Sequence, residues 1–174
     1  MDKSSPTTNQ LIFELRGYLN VTIALLLLGS LFQPLLIGYP SRRDRPVEFI
    51  HLAEVLYNPT TEYLRATDPE PNWFFWATAM LAFFLPLVLL LTPQDVSHPP
   101  RQSGSKKWVN FTLGLQASCL VLLWFYTWTL TWNTEENLRL GSWGAGMFCL
   151  SLAHVLTFFR TVSLNRIQRL AENY

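Results

Sequence analysis

Hydrophobic positions gather into four long runs, at residues 18–37, 73–91, 108–131 and 142–159, with polar and proline-rich connections between them. Each run is close to the roughly 20 residues that a helix needs to cross about 30 Å of hydrocarbon. None contains Asp, Glu, Lys or Arg. The pattern predicts an all-α integral membrane protein: four transmembrane helices in an antiparallel bundle, forming one domain over residues 1–174. Pro34 near the end of the first run predicts a kink, because proline removes a backbone donor. Pro86 lies comparably deep in the second, where neighbouring helices absorb such breaks in a membrane.

The connections differ in character. Asp44 and Pro46 give a helix-start signal. Over 47–57, Phe49, Leu52, Ala53 and Leu56 then share one helical face, with Glu48, His51 and Glu54 on the other. Asn58-Pro59 ends the pattern, which predicts a short amphipathic helix in the interface plane. The second connection, 92–107, contains His98-Pro99-Pro100 and Ser103-Gly104-Ser105 and reads as a flexible loop. The third, around 133–140, is short and makes the last two spans a hairpin. The basic tail, 160–174, continues the last helix toward anionic headgroups.

Composition agrees. Only 14% of residues are charged, against about 25% in an average soluble domain. A net charge of +1 excludes a nucleic-acid binder with a basic stripe. Cys119 and Cys149 both fall inside runs and read as small hydrophobes, not a disulfide framework. The polar N-terminal stretch, with Asp2 and Glu14, shows no cleavable leader, so the first run reads as a retained signal anchor. Lys and Arg beside the spans number eight on the side of the termini and five on the other. The positive-inside rule thus places both termini on the cytoplasmic, stromal or matrix-equivalent side.

Tryptophan is distributed unevenly. Six of the seven lie in the outer half on this topology, and only Trp108 marks the inner boundary. An aromatic belt accounts for Trp73, Trp132 and Trp143. Trp124, Trp128 and Trp132 recur at i, i+4 and i+8 and form one helical stripe. That stripe suits core packing, contact with another membrane subunit, or a wall for a flat apolar ligand.

His154 is the only ionisable side chain near a span centre besides the thiols, which makes it a functional candidate by default. Gln116 lies at similar depth on the antiparallel neighbour, predicting a His154–Gln116 hydrogen bond as interhelical glue. A single haem or chlorophyll ligated by His154 is the alternative; a second histidine for bis-histidine haem is lacking, since His51 and His98 fall in loops. Glu48-x-x-His51 has di-iron spacing, but one copy does not make such a site. Gly141 with Ala145, Ser142 with Gly146, and Gly114 with Ser118 are small-xxx-small pairs that let helices approach closely. They predict tight packing of the third and fourth spans, or a subunit contact through the fourth.

Pro46-Val47-Glu48-Phe49 and Pro71-Asn72-Trp73-Phe74, with four spans in this length, resemble the emopamil-binding and sigma-2 receptor group. Its members bind or isomerise sterol-like molecules through acidic residues within their helices. The four runs here hold none, and the chain is not assigned to that group.

No Ser/His/Asp set, HExxH or phosphate-cradling loop occurs. The sequence therefore reads as a non-catalytic accessory subunit of a multi-subunit membrane complex, such as a respiratory or photosynthetic assembly or a transport machine. Its partners would be lipids and other integral membrane subunits, with no cofactor required. A protein or enzyme for an apolar ligand (sterol, lipid or quinone) is the alternative.

Overall fold

The computed structural model describes residues 5–40, 47–57, 73–91, 103–132 and 138–172. They form helix α1 (Ser5–Phe32), strands β1 (Pro34–Pro40) and β2 (Glu48–His51), and helices α2 (Leu52–Tyr57), α3 (Trp73–Leu91) and α4 (Ser103–Trp132). Strand β3 (Leu138–Trp143) and helix α5 (Ala145–Glu172) complete the order. The chain is mostly helical, and four stretches are long and apolar enough to cross a membrane: Gln10–Phe32, Trp73–Leu91, Lys107–Trp128 and Ala145–Ser163.

The all-α expectation needs one correction. A three-stranded antiparallel sheet, in the order β2-β1-β3, sits at one end of the long helices. The run 18–37 does not stay helical to its end. Gln33 makes the last helical bond, its N–H donating to Gly29 at 2.9 Å. Pro34 has no N–H to continue and biases the residue before it away from helical geometry. The apolar residues after it extend instead, and Leu36 and Ile37 face partners on both sides: Ile50 and Phe49 on β2, Trp143 and Ser142 on β3. Leu35 and Leu36 are buried. The proline starts a strand where a kinked helix was expected.

The 47–57 segment also divides, its first half pairing as β2 and its second forming α2. The backbone N–H of His51 donates to the Glu54 carboxylate at 3.1 Å, which closes the N-terminus of α2 as in a capping box. Leu52 and Val55 are buried, and the Trp76 indole donates to the Leu56 carbonyl at 3.2 Å. The apolar face of α2 is thus spent on the protein's own core. Residues 103–107, expected in a loop, belong to α4, whereas α5 runs through the basic tail to Glu172 as expected.

α1 packs most extensively along α5, and α3 along α4; α4 and α5, expected to be tight neighbours, share less surface. Ile23 and Leu27 of α1, Phe75 and Ala82 of α3, Leu123 of α4 and Leu150 of α5 meet in a single core cluster with β1 and α2.

Candidate functional site

At mid-length, three helices are joined by one polar knot. Pro86 lies inside α3 and cannot donate to the carbonyl of Ala82, four residues back. His154 Nε2 lies 2.8 Å from that carbonyl. A carbonyl only accepts, so Nε2 carries the hydrogen and Nδ1 presents a lone pair. The side chain replaces the bond that the proline removed. Gln116 Nε2 donates to the backbone carbonyl of His154 at 3.3 Å. Gln116 and His154 are therefore neighbours, but through His154's backbone and not its ring. Gln116 Oε1 and His154 Nδ1 are buried with no hydrogen-bond partner among the described residues.

Toward the sheet, the tryptophans form a second cluster. Trp124 Nε1 donates to Ser151 Oγ at 2.9 Å, and Ser151 donates to the Met147 carbonyl at 2.8 Å. Trp143 Nε1 donates to Thr127 Oγ1 at 3.1 Å, whose own hydroxyl donates to the Trp124 carbonyl at 3.0 Å. The Trp124 and Trp143 rings meet edge-on at 4.5 Å, and Phe148 flanks Trp124 at 5.9 Å. Buried indoles need such partners. Trp124 thus ties α4 to α5 and β3, while Trp128 touches Trp143 at 6.3 Å and remains 51% exposed. The Trp132 side chain lies outside the described residues.

The small residues act at the turn into α5. Gly141 and Ser142 are in β3, so neither belongs to a helical small-residue face. Ser142 opposes Ile37 and Leu140 opposes Gly38, leaving Gly141 as the extra residue of a bulge, a usual place for glycine. Ala145 opens α5 and is exposed. The Gly144 N–H donates to the Leu35 carbonyl at 2.9 Å, and a Cβ at Gly144 would collide with the Pro34 carbonyl. A Cβ at Gly146 would stand 2.5 Å from the Gln33 carbonyl. The close approach is between the start of α5 and the α1–β1 turn, not between α4 and α5.

Farther from the sheet along α1 and α5 lie Arg16, which the sequence flagged for charge asymmetry, and Arg160, which it also placed in the basic tail directed toward anionic headgroups. Arg160 on α5 is 5% exposed and Arg16 on α1 is 9% exposed. Arg160 Nη1 donates to the Leu89 carbonyl at 3.0 Å, one of the last carbonyls of α3, which no helical N–H reaches. The signal available in advance was position: Arg160 directly follows the last apolar run. Among the described residues, no group of three His, Cys, Asp or Glu side chains is arranged to hold a metal.

No family model matches this chain, and no curated protein or solved structure does either.

Proposed function

We propose that this is a non-catalytic, multi-pass integral membrane protein that acts as an accessory subunit in a larger membrane assembly, with both termini on the cytoplasmic-equivalent side. The observation carrying this reading is how the mid-depth polar groups are used. His154 and Gln116 bond backbone carbonyls of neighbouring helices, so the one ionisable side chain there serves as helix glue. The outward face of α4 offers Val121, Phe125 and Trp128, each at least half exposed, at i, i+4 and i+7. These three are the proposed partner contact, and Trp124 supports them from behind. Gentle-detergent purification from the native membrane tests the reading. A large particle containing other proteins, reduced by Phe125→Ala and Trp128→Ala, is expected. A lone chain unaffected by both substitutions would overturn it.

One observation favours the second reading. Two buried acceptors, Gln116 Oε1 and His154 Nδ1, have no donor among the described residues, and the hydroxyl of an apolar ligand such as a sterol would supply one. Mass spectrometry of co-purified small molecules distinguishes the two. Haem or chlorophyll ligation through His154 Nε2 would require breaking the Ala82 bond.

A further inference from the structure

Arg160 presents an unmet demand. Its guanidinium has five N–H donors. One, on Nη1, bonds the Leu89 carbonyl, while Nε is buried with no partner among the described residues. Arg16 lies about as far before the end of α1 as Arg160 lies after the start of α5, on helices where Gly29 stands against Cys149, so the two cations sit at similar height along the pair. Like charges in a poorly hydrated place repel more strongly than in water. The helices that bring them together, α1 and α5, are the most extensively packed pair in the molecule, so neither cation is there by loose surface placement. Exposed apolar side chains lie within three positions of them along the chain: Phe13 on α1, and Phe159 and Val162 on α5. A buried cation pair beside an apolar flank is complementary to a group that is anionic at its head and aliphatic below it.

We propose that Arg16 and Arg160 form a binding site for the phosphate of an anionic phospholipid, lodged where α1 meets α5, with its acyl chains along Phe13 and Phe159. The site rests on the membrane reading above but needs no partner subunit. Arginine suits the role because its fork can bond two phosphate oxygens at once, whereas lysine offers a point charge. Basic recesses between transmembrane helices hold lipid headgroups in this way.

The test uses the full chain in zwitterionic phosphatidylcholine nanodiscs, with thermal unfolding read as phosphatidylglycerol replaces part of the lipid. Phosphatidylglycerol is expected to raise the unfolding temperature, and native mass spectrometry to show it retained over phosphatidylcholine. Arg160→Gln should weaken that preference roughly tenfold, the scale of one charge-assisted hydrogen bond. Arg160→Lys keeps the charge, guards against a variant that fails to fold, and should recover only part of it. Lys107→Gln, an exposed cation on α4, should leave the preference intact. Equal loss in Lys107→Gln would mean general attraction to an anionic surface and would overturn the site. So would an unchanged preference in Arg160→Gln, or inorganic phosphate alone giving the whole shift in detergent, which would identify a free anion as the ligand. Alkaline-carbonate extraction beforehand separates the two ideas. A chain released by carbonate ends the membrane reading and this one together. A retained chain with no lipid preference ends only this one.

Discussion

Pro34 and Pro86 stand in apolar runs of similar character, yet one ends its helix and the other does not. After Pro34 the chain finds strands on both sides, and its backbone groups leave the helical ladder for a sheet. Around Pro86 no strand is on offer, but His154 reaches across from α5 to the carbonyl that lost its donor. Proline disrupts a helix by leaving backbone groups unsatisfied. The outcome depends on which partner the surroundings supply. An extended segment was available in one case, a single side chain in the other.

Five substitutions, one of them the partner in a double-mutant cycle, break or sharpen that contrast. The largest effect is expected at Gly144, where the turn into α5 rests on the Pro34 carbonyl. Gly144→Ala should cost about 3 kcal/mol, at the upper end of overpacking penalties, read from denaturant unfolding in detergent. Full tolerance would mean the junction is looser than described. Next is His154→Leu, which strands the Ala82 carbonyl and should cost roughly 2 kcal/mol. The informative measurement is the cycle with Pro86→Ala, which returns a helical donor to Ala82. The cost of His154→Leu should shrink clearly in that background; an equal cost in both backgrounds would show that His154 does not compensate for Pro86. Trp124→Phe keeps a ring against Trp143 and Phe148 but loses the bond to Ser151, and about 1 kcal/mol of destabilisation is expected. The smallest effect belongs to Pro34→Ala. With β1 paired along both edges the helix should not extend, and the change should stay near ~0.5 kcal/mol, the entropic share of a proline. Growth of helix content by circular dichroism would instead show that proline alone ends α1.

The same contrast explains what could be read from the residues in advance. The run 73–91 coincides with α3 because all of it is apolar and helical. The first run misled at its end because Pro34-Leu35-Leu36-Ile37 is as apolar as a span, and a strand buried on both faces, as the successive Leu35 and Leu36 are, shows no alternation. The last run misled at its start because Ser142-Trp143 carry no charge to mark them off from the helix that follows. Hydropathy records burial, and burial in a sheet looks the same. The depth shared by His154 and Gln116 was legible from helical rise, but the bond actually made was not. It involves the Ala82 carbonyl, 72 positions earlier in the chain and freed by a proline, a relation that emerges only once α3 and α5 are adjacent. Arg16 carried no local signal beyond charge and Arg160 only its place after the last apolar run, since what brings the two helices together is a property of their pairing.

The central place of β1 in its sheet also constrains how the protein is made. In the order of the chain α1, β1 and β2 come first, so both strands of the β1–β2 pair are present early. The other edge of β1 must wait for β3, and Leu36 meets Trp143 only after three spans have been synthesised. Until then that edge presents open backbone groups, the kind that neighbouring chains pair with wrongly. Order of synthesis therefore sets a late step: β3 emerges only after α3 and α4, and it is this strand, ahead of the last helix, that closes the sheet.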